Sequence, residues 1–291
     1  KGLLRVIDEY LKDHKIDGEP WTYFDRNVVA WARNRYRQGF ITEKDLELLL
    51  IARDKGATRV WSRKKGFLTP RFYRIEPTGN PEELGQRLKA AADQVGFPAA
   101  LKVPSAAAGK GYRYVGSADA LKEIYEHLQQ WVRAQPPEVV GRYYPEFING
   151  MGPVILEQYL SQKEEYQRLG SDELDADALK QGGKVKAVFI ADNQKVGSDD
   201  PRDYQDNYPS RLPKPVQGQV KEYVEKLLED FPDGHYHVEV MVTHEGIHLL
   251  EINTRMGGEF VGIMAQEVWG VDFPALNAMI AMGIPIDRYL P

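Results

Sequence analysis

Cysteine is absent from all 291 residues, which excludes disulfides, thiolate metal sites and a cysteine nucleophile and fits an intracellular, cytoplasmic protein best. No window approaches the roughly 20 apolar residues of a membrane span, and the first residues lack an apolar core of signal-peptide length. An excess of base is missing too: 38 Lys and Arg stand against 43 Asp and Glu, a net charge of −5. The basic residues are scattered, so neither nucleic acid nor an anionic membrane is an expected partner. What remains is ordinary globular material, 42% hydrophobic, long enough for two domains or one domain with a mobile lid. The chain opens at Lys1 inside an amphipathic pattern (Leu3, Leu4, Ile7, Tyr10, Leu11), as though already within a helix. Further sequence upstream, or omitted segments, is therefore expected.

Residues 20–52 read as a helical pair, with Asp25 capping one helix and Thr42 the next, ahead of Leu46, Leu48, Leu49 and Leu50. Short strands are expected at 72–75, 99–103, 112–115, 154–160 and 184–191. Helices are expected from Pro81 to about Val95, after Ser117, and near residues 215–230. The acidic, glycine-containing stretch from Arg168 to Gly183 reads as a flexible loop or insertion.

The most informative stretch runs from His237 to Gly258. Val238, Val240 and Val242 alternate with Glu239 and Met241, Thr243 to Gly246 supplies turn chemistry, and Ile247 to Ile252 forms a second β-rich run. Side chains on a strand repeat with period two, so Glu251 and Asn253 share a face and Glu239 on the partner strand can be brought alongside. Magnesium favours such oxygen donors, with phosphates and water completing its octahedron. Arg255 and Gly257-Gly258 follow, offering a planar fork for an anionic group and backbone N–H groups that approach it closely. The competing reading is a solvated hairpin whose acids face water.

Five weaker signals accompany it. Lys102 lies within the apolar run Ala99 to Val103, where desolvation calls for an anion, phosphate being the obvious one, unless the amine reaches water at a strand edge. Ser105, Gly109, Lys110 and Gly111 belong to a small-residue loop between strands that either wraps a polyphosphate or is a plain turn. At a strand end, Glu157 with the backbone of Gln158, Tyr159 and Leu160 is suited to reading an adenine edge, and Glu165 to the ribose hydroxyls, if it is not simply an exposed acid. Asp54, Lys55 and Arg59 read equally as a binding element or as helical surface charge. Tyr208, Arg211, Met256, Glu259 and Phe260 are candidates for an amino-acid-sized pocket, or ordinary packing and surface.

In this order the motifs resemble the ATP-grasp superfamily, specifically its carboxylate–amine ligase branch, over about residues 50–285. The matching elements are Asp54-Lys55, Pro70-Arg71, the strand from Gly96 to Lys102, the loop Ser105 to Gly111, Glu157 to Leu160 and Glu165. Tyr208 to Pro213, the Glu239, Glu251 and Asn253 set, Arg255 with Gly257-Gly258, Gly270 to Asp272 and Ala281 to Gly283 continue the match. The resemblance implies an α+β architecture in which two α+β subdomains clasp ATP, preceded by a partial N-terminal region. Its segments would be a remnant at 1–72, a lid at 73–153 and a base carrying the metal site at 154–291. It further implies ATP and Mg2+ (or Mn2+) as cofactors, small-molecule carboxylate and amine substrates of amino-acid type, and a homodimer. Lys55 and Lys102 would meet phosphates, and Arg255 with Arg211, Gly257 and Gly258 would meet the substrate. Its ligase members join carboxylate to amine through an acyl phosphate. A bicarbonate-activating carboxylase and a non-catalytic ATP-binding regulator share the fold and stand as alternatives. The loop is richer in alanine, at Ala106 to Ala108, than the family's glycine-rich version.

Overall fold

The computed structural model describes residues 25–106, 109–147, 150–197, 203–258 and 260–291. The opening amphipathic pattern, Ala107, Ala108 and Glu259 lie outside the described residues. Helix Asp25–Arg37 precedes helix Glu43–Arg53, which starts on a capping box: Asp45 N–H donates to Thr42 Oγ1 at 3.2 Å and Thr42 N–H to the Asp45 carboxylate at 2.9 Å. Asp54 then caps a further helix, Lys55–Lys64, by accepting from Ala57 N–H at 2.9 Å. Lys55 and Arg59 are buried on that helix, so the surface-charge reading of this element does not hold.

Four antiparallel strands form the first sheet: β1 (Phe72–Ile75), β2 (Ala99–Lys102), β3 (Tyr112–Val115) and β4 (Val154–Gln158), in the order β1-β4-β2-β3. Helices Pro81–Val95 and Ala118–Arg133 pack against it, sharing a core with Ile75, Leu101, Val115 and Leu156. Pro81 starts the first of these helices in the expected way, with Asn80 as its N-cap, whereas Ser117 makes no side-chain cap bond to the second. Strand β4 ends at Gln158, two residues short of expectation, where its partners β1 and β2 give out: the N–H groups of Gln158 and Tyr159 still donate to Arg71 O and Pro98 O, the residues just before those strands. It pairs with β1 and β2, and the strands of the next sheet begin after it, at Glu173.

Five antiparallel strands form the second sheet: β5 (Glu173–Gln181), β6 (Lys184–Lys195), β7 (Asp203–Asn207), β8 (Gly234–Thr243) and β9 (Gly246–Asn253), in the order β7-β6-β5-β8-β9. Leu174, Ala176, Ala178, Val238 and Val240 meet Val220 and Val224 of helix Lys214–Leu227 in one core. Helices Val261–Trp269 and Phe273–Ala281 close another with Leu179 and Phe189. No helix among the described residues is long and apolar enough to cross a membrane.

Strand β5 overturns the loop expected at residues 168–183. All nine of its residues are buried and it lies at the centre of the sheet. Its acids made the stretch read as polar, but they alternate with Leu174, Ala176 and Ala178, which is the period of a strand with one apolar face. Lys180 is buried because its ammonium donates to the carbonyls of Leu228 (2.6 Å), Glu229 (2.8 Å) and Phe231 (2.6 Å), just past the end of helix Lys214–Leu227. Lys180→Ala leaves those carbonyls without that donor and should lower unfolding free energy by about 3 kcal/mol in urea titration. A loss below about 1 kcal/mol would show that water replaces the ammonium at little cost.

Candidate active site

Residues of both sheets line a cleft of about 820 Å³. On the side of the first sheet, Arg59 organises the wall. Fully buried, it donates through Nε to Glu157 Oε1 at 2.9 Å and through Nη2 to Glu157 Oε2 at 3.3 Å and Leu250 O at 2.7 Å. Lys102 Nζ reaches Glu157 Oε2 at 2.9 Å and remains on the cleft lining. The anion that compensates this strand lysine is thus a protein carboxylate. Burial would raise the Glu157 pKa, but the charges of Arg59 and Lys102 outweigh it and lower the group to about 2.

Lys55 joins the two walls, donating to Ala106 O at 2.6 Å and to Glu251 Oε1 at 2.9 Å. Gly109 and Lys110 line the cleft beside it. Gly111 has φ +72°, and a Cβ there would stand 3.0 Å from Val103 Cγ2, so the loop closes only on glycine. Ser105 turns elsewhere: its hydroxyl and N–H donate to Glu146 Oε1 at 2.5 and 3.2 Å, and it is not on the lining. Glu157, Gln158, Tyr159 and Leu160 all line the cleft. Since Arg71 O and Pro98 O engage the N–H groups of Gln158 and Tyr159, Leu160 supplies the next N–H along this stretch.

On the second sheet the hairpin sets Glu239 opposite Glu251 and His237 opposite Asn253. A bulge beside Glu239 leaves Leu250 unpaired, so its carbonyl is available to Arg59 while Glu251 keeps its place across from Glu239. Asn253 Nδ2 lies 3.4 Å from Glu239 Oε1. Withdrawal from water, then the charges of Glu251 and Glu173, raise the Glu239 pKa to about 7. Two crowded carboxylates with an amide oxygen are a donor set that a divalent cation relieves, and these residues fit magnesium. Arg255 lines the cleft next to them and donates through Nη1 to Met256 O at 2.7 Å.

The next strand inward adds groups that sequence reasoning missed. Asp175 stands opposite Glu239, and Asp177 opposite His237. The Asp177 carboxylate contacts His237 Nδ1 at 3.1 Å and His235 Nε2 at 2.9 Å, and accepts from Gly257 N–H at 3.1 Å. Burial opposes its ionisation, but His237 and His235 hold it well below the usual range. Burial likewise opposes charge on His237, yet Asp177 and Asp175 raise it to about 10, so the imidazole is protonated at neutral pH. Gly257 is needed for this contact, since a Cβ would fall 2.8 Å from His237 Nδ1. Glu173 pairs with Lys195, and both line the cleft with Asp172, Asn193 and Asp206. Period-two alternation along residues 173–178 was the signal that could have found the acids of β5.

Other expected residues stand apart. Glu165 is exposed and off the lining, where Gln167 from the same short helix is found instead. Arg211 is exposed and off the cleft, with its backbone N–H given to Asp192 Oδ2 at 2.7 Å. Gly258 lines the cleft; Asn253 is off the lining and bonds Glu239, which is on it, and Gly257 is off the lining and bonds Asp177 behind the lining residue His237. Tyr208 and Met256 pack into the core of the last two helices, and Phe260 is exposed.

Two antiparallel sheets holding a charged cleft between them, with this strand order and this hairpin, make up the ATP-grasp fold. Comparison with known proteins gives the same result. Chain coverage of 96% with a TM-score of 0.68 relates it to an L-amino acid ligase from Bacillus licheniformis, at 17% identity and over 61% of that chain. The biotin carboxylase domain dimer of Hydrogenobacter thermophilus 2-oxoglutarate carboxylase, solved with MgADP, ADP and bicarbonate, matches 97% of the chain and 56% of its own length at TM-score 0.65 and 19% identity. In sequence the chain is similar to carnosine synthase 1 of Homo sapiens, 26% identical over 206 residues, which is 70% of this chain but 23% of that protein. No family model matches.

Glu157 gives a pH signature. Its pKa is depressed on folding from about 4.5 to about 2, so its stabilisation is complete above about pH 4.5 and is lost as pH falls toward 2. The full contribution is on the order of 3 kcal/mol. The stability gap between the wild type and Glu157→Gln should narrow by about 2 kcal/mol between roughly pH 6 and pH 3 in urea unfolding. A gap that stays constant over that interval contradicts the assignment.

Proposed function

We propose that this chain carries the ATP-binding and catalytic part of a carboxylate–amine ligase that forms an amide or peptide bond and releases ADP and phosphate. The observation that carries the reading is the two-sided charge of one cleft: Lys55, Lys102 and Lys110 face the paired carboxylates Glu239 and Glu251, with Arg255 beside them. Cations on one wall suit a polyphosphate, and crowded oxygen donors on the other suit the cation that accompanies it. Its likeness to an L-amino acid ligase and to a carnosine synthase supports amino-acid-type substrates. The chain covers 23% of human carnosine synthase 1, so the activity of a whole protein of that kind belongs to the proposal. The cysteine-free sequence supports a cytoplasmic setting. A homodimer, the state of the H. thermophilus domain, is part of the same reading, and sedimentation at micromolar concentration reads it directly.

In this scheme a substrate carboxylate oxygen attacks the γ-phosphorus of ATP, and ADP leaves with the electrons of the broken P–O bond. An amine nitrogen then attacks the acyl carbon, phosphate departs, and the nitrogen loses a proton. Glu239, Glu251 and Asn253 would hold Mg2+ or Mn2+, which would supply charge neutralisation to the phosphate oxygens. Lys102 and Lys55 neutralise phosphates from the opposite wall, Lys55 from its position between Ala106 O and Glu251. Leu160 N–H and the neighbouring carbonyls read the adenine edge. Arg255 binds the carboxylate and the oxygens of the acyl phosphate. No protein nucleophile is required, since positioning and electrostatics carry phosphoryl transfer.

The bicarbonate bound in the H. thermophilus domain favours one second reading, a carboxylase that activates bicarbonate with the same machinery. ADP release from MgATP across amino acids and small carboxylates, singly and in pairs, separates the two. Release that needs a carboxylate plus an amine, with a condensed product by mass, is expected. Bicarbonate-dependent release without amine supports the second reading, and ATP binding without release under any pair contradicts both. Glu251→Ala should lower turnover at least about 100-fold while the fold is retained; near-normal activity at saturating Mg2+ would remove Glu251 from the metal site. Arg255→Ala should slow single-turnover chemistry by about 100-fold and change ATP affinity less than about threefold, and the opposite split would assign the guanidinium to the nucleotide.

A further inference from the structure

Asp175 has no part in the scheme above. It is 6% exposed and lines the cleft, yet its Oδ1 accepts no hydrogen bond among the described residues. Its Oδ2 accepts from Asn193 Nδ2 at 3.3 Å, and Asn193 Oδ1, also buried and on the lining, lacks a donor as well. Neighbouring carboxylates are answered by side chains: Glu157 by Arg59 and Lys102, Glu173 by Lys195, Glu251 by Lys55, and Asp177 by His235 and His237. His237 Nε2 stands 3.9 Å from Asp175 Oδ1, beyond hydrogen-bond length, and the same ring serves Asp177 through Nδ1. Two buried acceptors without donors, both on the cleft lining, call for a hydrogen-bond donor from outside the chain.

We propose that Asp175 and Asn193 form the subsite for the ammonium group of the carboxylate substrate, which is therefore an amino acid. This inference rests on the ligase reading. An ammonium presents several N–H donors and satisfies separate oxygens at hydrogen-bond length. A nitrogen anchored as ammonium has no lone pair to attack an acyl phosphate, so the anchored group is not the nucleophile. It belongs to the substrate whose carboxylate is activated at Arg255, which lines the same cleft. The zwitterion is then gripped at both ends, its anionic end at Arg255 and its cationic end at Asp175 and Asn193.

The test compares carboxylates with and without the amino group, alanine and β-alanine against propionate, in ADP release by the wild type and Asp175→Asn. The wild type should show a KM at least about tenfold lower for the amino acid that it uses than for propionate. Asp175→Asn should erase that preference while the KM for ATP and the Tm stay near the wild-type values. Equal use of propionate by the wild type, or a preference that survives the substitution, overturns the proposal. Weaker Mn2+ binding in Asp175→Asn, read by Mn2+ titration, also overturns it and gives Asp175 to the metal. If no carboxylate supports ADP release in the wild type, the ligase reading fails and calorimetry of glycine against acetate on the ADP-bound protein decides the subsite. Heat from glycine in the wild type alone supports it, and no glycine binding, or equal binding by both proteins, removes it.

Discussion

The buried guanidinium of Arg59 is the contact on which the cleft depends. It bonds Glu157 of β4 in the first sheet and the Leu250 carbonyl of β9 in the second, from a helix that belongs to neither sheet. Because a charge without solvent is tolerated only when it is paired, the Glu157 carboxylate is held ionised, and Lys102 is drawn to its other side. A planar fork with fixed directions ties the two sheets together more narrowly than apolar packing does. The bulge at Leu250 frees the carbonyl that Arg59 needs, and the same irregularity precedes Glu251 on the strand. Tethering of the sheets and placement of the metal-site carboxylate thus arise from one feature of the hairpin.

From that tether outward the cleft sorts charge by wall. Lys55, Lys102 and Lys110 come from the helix after Asp54, from β2 and from the loop that follows it, whereas Glu173, Asp175, Glu239 and Glu251 come from β5, β8 and β9; Glu157 of β4 and Lys195 of β6 stand among the opposite charge as its partners. Most of the carboxylates already hold a cationic partner, which allows a single sheet face to carry Glu173, Asp175, Asp177, Glu239 and Glu251 without unfolding. Lys55 crosses the gap to Glu251, so the phosphate side and the metal side are in electrostatic contact before any ligand enters. Beneath them Asp177 fixes His237 and the Gly257 backbone, placing the segment that bears Arg255 against the sheet.

The hairpin was legible in the sequence because its signals are local: valines at period two, a glycine turn, and acids on one face. Its register brings Glu239, Glu251 and Asn253 together as the spacing implies. Strand β5 was not legible by composition, since its acids are offset by Lys195, His235 and His237 on other strands, and such partners cannot be read from nearby sequence. Sheet membership of β4 was hidden for a related reason: its partner β1 lies far back in the chain, and pairing over that distance leaves no local mark. Glu165, matched by motif order alone, is exposed on a short helix, a placement that its neighbours in sequence do not announce. Arg59 read equally as a binding element or as surface charge because a buried guanidinium is recognised only once its acceptors are known.

The central claim, that a carboxylate is phosphorylated by ATP in this cleft, is tested most directly by following oxygen. The carboxylate of a pair that supports ADP release is supplied with 18O in its carboxyl group, and the inorganic phosphate formed is weighed by mass spectrometry. One 18O atom transferred to each phosphate is predicted, because the oxygen that attacks the γ-phosphorus leaves with it when the amine displaces the phosphoryl group. Phosphate free of 18O while the amide product forms would contradict the account and remove the acyl phosphate from it.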